Sequence, residues 1–291
     1  MLKNPMLSSL VKVLAFVFLA LLFLVFLPKV FSGERELNPI IASIGPLSLR
    51  WYGVLIALGA FIAYLIVDWE SKRKKISQGQ MESIVLWVLV SGLIGARIGF
   101  AVQNLSYFRE FPQEFFKFYH GGLSIHGALI GGIIALGICA RKYRLPFIKI
   151  ANIISPPVLL AIAVGRWGNF FNQEIIGKPA SIPWKMFVSI TNRPDGYESN
   201  SFFHPVFLYE SIALIIVFSI YWKFLRNRNI GLTYTLCSYC LVRIVVEFWR
   251  IDYRPLFLKL DLAQIVSFAI ILLTLVIYYL GRKYATKSRT A

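Results

Sequence analysis

Residues 84–102 read IVLWVLVSGLIGARIGFAV, nineteen positions with a single charge, Arg97. Such a run is long enough to cross a hydrocarbon layer of ~30 Å as a helix, and it offers water no polar face. Comparable stretches recur on both sides of it: Val13–Leu27, Leu49–Val67, Leu123–Ala140, Ile150–Val164, Val206–Leu225, Ile230–Phe248 and Leu262–Leu280. The pattern predicts an all-α, polytopic membrane bundle of seven spans from about residue 49 onward, with one extra N-terminal span. Composition agrees, with 57% apolar residues, 15% charged residues and a mean hydropathy of +0.66. That balance excludes a water-soluble globule with one core.

The formal charge of +17 is distributed in a telling way. Basic residues gather at Lys3/Lys12, Lys72–Lys75, Arg141/Lys142/Arg144 with Lys149, Lys223/Arg226/Arg228, and Arg282/Lys283 with Lys287/Arg289. These fall at every second connection, as an alternating path through eight spans requires. Both termini and these loops are therefore expected on the cytoplasmic side, held against anionic lipid. Cations so placed are span flanks, so nucleic acid is not expected as a partner. The other side receives Pro28–Ser48, Gln103–Gly122, Ile175–Phe203 and Ile251–Asp261.

Two units are expected, residues 1–33 as the extra span and residues 34–291 as the main membrane domain, including an outer-face segment at 175–203. A basic start and apolar stretch also suit a cleaved signal, but Pro28, Lys29 and Phe31 make a poor cleavage site, which favours a retained span. The outer segment carries the turn-rich Asn192–Gly196 and is long for a connection, a length more often functional than idle. Cys139, Cys237 and Cys240 lack a second pair or nearby histidine, so they read as small apolar thiols rather than metal ligands.

Chemistry is expected where polar residues enter spans, because a charge at mid-depth costs on the order of 2.5–3.5 kcal/mol and needs a partner or a wet cavity. His126 follows Gly121–Ile125 near an outer helix start. It is either a base or a histidine bonded to a neighbouring helix. Arg166, Asn169 and Gln173 share one face at about 100° per residue, beside Asn172 and Glu174. An arginine with amides at a helix end suits phosphate. Tyr239, Arg243, Glu247 and Arg250 form one stripe, either a site or a structural ion pair. His204, Tyr209 and Glu210 open a further helix, and Arg97 is an isolated intramembrane charge.

Six motifs in this order carry a resemblance: Arg50-Trp51-Tyr52-Gly53, Gly95–Gly99, Gly121–Gly127, Gly165–Glu174, His204-Pro205 with Leu208-Tyr209-Glu210, and Arg243–Arg250. Together they resemble the phosphatidylglycerol–prolipoprotein diacylglyceryl transferases of bacteria, over about Ile41 to Lys283. Ala128 and Phe207 stand where that family commonly has Gly and Gln, and the first span is an addition. A chain beginning near Glu34 behind a topology signal is therefore expected to keep activity.

The resemblance implies transfer of a diacylglyceryl group from phosphatidylglycerol to the lipobox cysteine of a prolipoprotein signal region. A thioether forms and glycerol 1-phosphate leaves, with no metal or soluble cofactor, at the outer face of the cytoplasmic (inner) membrane. His126, Arg166 and Arg243 are the catalytic candidates, and how base and phosphate-clamp roles divide among them stays open. Asn169, Asn172, Glu174, Tyr52, Tyr239 and Glu247 would bind the lipid, with Arg97, His204, Tyr209 and Arg250 as further candidates. The rival readings are an anion or lipid transporter, which calls for symmetric repeats the sequence lacks, and an inactive scaffold, which calls for loss of these residues.

Overall fold

The computed structural model of the chain describes residues 25–45, 47–118, 121–251, 256 and 260–290. Almost all of the expected span Val13–Leu27 lies outside them, as does His120. A short helix, α1 (Leu27–Ser32), precedes a hairpin of β1 (Ile40–Ile44) and β2 (Leu47–Arg50). The long helices α2 (Trp51–Arg73) and α3 (Gln78–Gln103) follow, then the short α4 (Leu105–Glu110) and a 3₁₀ turn at Pro112–Phe116. Next come α5 (Ile125–Lys142) and α6 (Phe147–Asn172), then the outer segment with its two-residue strands β3 (Met186–Phe187) and β4 (Phe202–Phe203). The chain ends with α7 (Val206–Ile220), prolonged by a π turn at Tyr221–Leu225, then α8 (Gly231–Glu247) and α9 (Leu262–Thr290).

Among the described residues, six helices are long and apolar enough to cross a membrane, and α8 is the exception. It has only 17 residues and carries Arg243 and Glu247, but it packs against α6 and α9 and completes the bundle. The outward faces are apolar, as lipid requires: Leu86 on α3 and Ile130 on α5 are each 61% exposed. Small residues let the helices close up where they cross. A Cβ at Gly99 would lie 2.9 Å from the Gly127 Cα, so α3 and α5 meet backbone to backbone. α9 is pinned by a reciprocal cap: Gln264 N donates to Asp261 Oδ1 at 2.8 Å and Asp261 N to Gln264 Oε1 at 3.1 Å. Gln264 Nε2 then donates to the Ile244 carbonyl of α8 at 3.0 Å.

α6 is the central helix, packing against α2, α5, α7 and α8. The helix directions sort the loops onto two ends. Arg73 at the close of α2 donates to Asn227 Oδ1 at 2.6 Å, and Asn152 Oδ1 near the start of α6 accepts from Leu232 N at 2.8 Å. The described basic connections after α2, α5 and α7 thus share one end, and Arg166, Glu210 and Arg243 lie toward the other.

At that other end α1 is a wedge. Val30 is 1% exposed within a cluster of Phe170, Ile176, Met186, Val188, Phe203 and Phe207, and the Phe31 ring lies 5.9 Å from that of Phe170. Gly33, at φ 84°, turns the chain away with the Phe187 ring only 2.8 Å from where a Cβ would stand. A boundary at residue 33/34 therefore cuts through packed contacts. Starting the chain at Glu34 is expected to destabilise the outer segment by on the order of 3 kcal/mol, the burial of one to two large apolar side chains. Limited proteolysis within residues 175–203 checks this, and cleavage no faster than in the full chain would sink it.

Candidate active site

The site is built from the ends of α6, α7 and α8. Arg166 sits less than two turns from the end of α6 and donates from Nη2 to Oε1 of Glu210 at 2.5 Å. Glu210, on the second turn of α7, is fully buried, so the two hold each other in fixed positions. Breaking such a buried pair by removing one partner costs about 3–5 kcal/mol. Arg166 Nη1 also reaches Asn169 Oδ1 at 3.4 Å. Asn169 and Asn172 in turn donate to the two oxygens of the exposed Glu174, at 3.2 and 3.1 Å. Arg166 Nε, Glu210 Oε2 and Asn172 Oδ1 are buried without a partner among the described residues, although buried polar atoms are nearly always paired. Tyr52 lies beside this group, its Cδ2 2.6 Å from where a Cβ at Gly168 would stand, so only glycine fits there.

A second arginine is held in a similar way on α8. Arg243 Nη2 is 2.7 Å from Oε2 of Glu247, which is 3% exposed, but that oxygen lacks hydrogen-bond alignment, so the pair is held by charge. Arg250 Nε lies 3.3 Å from the other oxygen, so one carboxylate serves two cations. Tyr239 lies one turn before Arg243 on α8, and α8 packs against both α6 and α7, so the two arginine groups stand on contacting helices.

The outer segment closes over this end. Gly177 pairs with Arg250, and Lys178 N donates to the Trp249 carbonyl at 2.8 Å. Trp184 Nε1 donates to Tyr209 Oη at 3.0 Å, and that hydroxyl is 3.0 Å from His204 Nδ1. With its oxygen accepting from Trp184, Tyr209 can give its own proton to an unprotonated Nδ1. Burial, with Lys178 adding repulsion, holds the His204 pKa below its ordinary value. A depressed histidine leaves docking at full strength above the unfolded value of ~6.5 and weakens it as pH falls through the folded value. Hydrogen exchange in residues 175–203, corrected for intrinsic rate, is expected to be faster at acid than at neutral pH, with His204→Gln flattening the response. Equal protection at both pH values would remove the histidine from this role.

Two candidates lie apart. Arg97 is 2% exposed, and its five N–H groups point at the carbonyls of Glu114, Phe115, Lys117, Gly121 and Gly122. Its guanidinium also lies over Phe108 at 5.3 Å and Phe118 at 5.6 Å. Arg97 thus fastens the loop between α3 and α5, with no donor left for an anion, which corrects its reading as a lipid ligand. His126 is exposed on the first turn of α5, at the same end as the arginines but on a helix that packs mainly on α3.

The model of the family described as prolipoprotein diacylglyceryl transferase matches residues 39–280. The chain belongs to that family. A relative from Thermotoga maritima, named phosphatidylglycerol–prolipoprotein diacylglyceryl transferase, is 38% identical over 90% of this chain and 93% of its own length. Relatives of the same name from Trichormus variabilis and a Synechocystis strain are each 35% identical, over 79% and 84% of this chain and 84% and 90% of their own lengths.

For this family member, the sequence did not disclose the partners of two residues. Glu210 stood among the polar residues opening α7, but its pairing with Arg166 spans 44 positions. Depth was the available signal, since both lie one to two turns inside an outer helix end. Gln173 was placed on the Arg166 face by helical spacing, but the helix has ended there: φ is 51°. Its Oε1 accepts from Ser189 N, Ser189 Oγ and Asn192 Nδ2 at 3.0, 2.6 and 3.0 Å, so Gln173 anchors the outer segment instead.

Proposed function

We propose that this chain moves the diacylglyceryl group of phosphatidylglycerol onto the thiol of a prolipoprotein's lipobox cysteine, the first step of lipoprotein maturation. The observation that carries the reading is a pair of arginines, each set on a buried carboxylate, on contacting helices at one end of the bundle. The cysteine sulfur attacks the glycerol carbon that bears the phosphate. An S–C bond forms, the bond from that carbon to the phosphate oxygen breaks, and glycerol 1-phosphate leaves with that oxygen as the thiol proton passes to a base.

A free thiol with pKa ~8.5 is mostly protonated at neutral pH, so the base matters, and His126 takes that role. The phosphodiester monoanion becomes a phosphate monoester near dianionic charge. Arg166 and Arg243 interact most strongly with that developed charge, which lowers the barrier rather than only binding substrate. Their carboxylates fix the guanidinium planes beforehand. Asn169, Asn172, Glu174, Tyr52 and Tyr239 shape the headgroup site, with His204, Tyr209 and Arg250 holding the outer segment around it. The protein sits in the bacterial inner membrane with this end facing outward and the basic loops and C-terminus in the cytoplasm.

The test is transfer of labelled lipid from phosphatidylglycerol to a lipobox peptide by the purified full chain in detergent. A thioether-linked product that vanishes when the cysteine is replaced by serine supports the reading. Lipid movement between vesicles without product would favour a transporter.

A further inference from the structure

The end opposite the arginine cluster holds a second feature that the transfer reaction does not use. The close of α2, the start of α6 and the α7–α8 connection enclose a cavity of about 510 Å³. Four cations line it, Lys74, Lys149, Arg226 and Arg228, against one carboxylate, Glu70. That carboxylate is already engaged, since its two oxygens accept from Arg73 at 2.5 and 2.9 Å. Among the described residues none of the four cations has an ion-pair partner. Like charges around one space repel, and an anion placed among them relieves that repulsion.

The lining is also organised. The Arg226 guanidinium lies over the rings of Trp69 and Trp222, at 5.3 and 5.2 Å, which fixes its face and leaves its edge N–H groups to donate. Asn152 already uses its Oδ1 on the Leu232 N–H, so its remaining polar group is a donor. Beside these donors stand apolar groups, with Ile153 buried in the lining and Ile148, also in the lining, 56% exposed. Cations next to exposed apolar surface at one end of a membrane bundle match a molecule that presents phosphate and hydrocarbon together.

We propose that this cavity binds the phosphate headgroup of an anionic phospholipid from the leaflet on the basic side, as a lipid site separate from the reaction. The inference does not rest on the transferase reading. Its test is native mass spectrometry of the purified full chain incubated with phosphatidic acid, counting lipids retained per chain. The variant Lys149→Gln/Arg226→Gln/Arg228→Gln is expected to retain one fewer, with affinity at that site about a hundredfold weaker at the usual strength of surface cations for anionic lipid. Retention of phosphatidylcholine should not change. A control that neutralises as many cations at the same end outside the cavity, Lys142→Gln/Lys223→Gln/Lys283→Gln, should behave as the unaltered chain. Should the triple cavity variant fail to fold, Lys149→Glu on an exposed side chain still has to weaken binding by about tenfold or more. Equal loss in the control, or no loss in the cavity variants, would overturn the site in favour of diffuse attraction. Displacement of the lipid by equimolar glycerol phosphate or inorganic phosphate would overturn the lipid as the natural occupant.

Discussion

Arg243→Lys is expected to give a folded, membrane-inserted protein whose lipid transfer is slower by about 10²–10³-fold, the loss typical for one positioned charge-stabilising donor. Lysine keeps the positive charge and can still approach Glu247, so the buried carboxylate is not stranded. What it gives up is the planar, two-point grip on a phosphate. The cleaner-looking alternative, Arg243→Met with Glu247→Leu, is confounded by the structure. Glu247 also faces Arg250 at 3.3 Å, and Arg250 joins the outer segment through Gly177. Removing the carboxylate would disturb a second cation and the cover of the site together. A lysine variant with normal stability and a near-normal rate would make Arg243 a structural partner of Glu247. A slow variant that melts like the unaltered chain would assign the loss to the transition state, the more so if kcat falls and KM does not.

How legible this site was depends on the distance over which the relevant physics acts. Spans such as Ile84–Val102 were readable because burial in lipid imposes a local rule on every side chain of the run. The Arg243–Glu247 pair was readable for a related reason, since positions four apart on a helix are neighbours. Pairs across helices obey no such rule. Nothing local in Arg166 points to Glu210, and nothing in Arg97 shows that the loop before α5 will fold back and offer it five carbonyls. Gln173 failed for another reason, because helical spacing was carried one residue past the end of the helix. The wedge made by α1 was not legible either: Val30 and Phe31 were placed in the outer stretch Pro28–Ser48 with no packing partner, yet they pack on the outer segment.

The largest single loss is expected at His126. His126→Asn should leave folding intact and cut turnover at neutral pH by ~10²–10⁴-fold, the range for removal of a general base. Folding is spared because the side chain is exposed on the first turn of α5, whose start is fixed by other groups. Ser124 Oγ accepts from Gly127 N at 3.5 Å and from Gln103 Nε2 at 2.9 Å, and the glycine contact with α3 lies on the buried face. Exposure at this end also suits a base that must meet a thiol arriving on another polypeptide. The distinguishing measurement is the pH dependence of transfer. If His126 only takes the thiol proton, the deficit should shrink as pH rises toward the thiol pKa of ~8.5, where the acceptor ionises unaided. A deficit that stays constant with pH would mean that the imidazole positions substrate and that the proton leaves by another route. A variant as fast as the unaltered chain at neutral pH would remove His126 from the reaction and turn attention to Tyr239, one helical turn before Arg243 on α8.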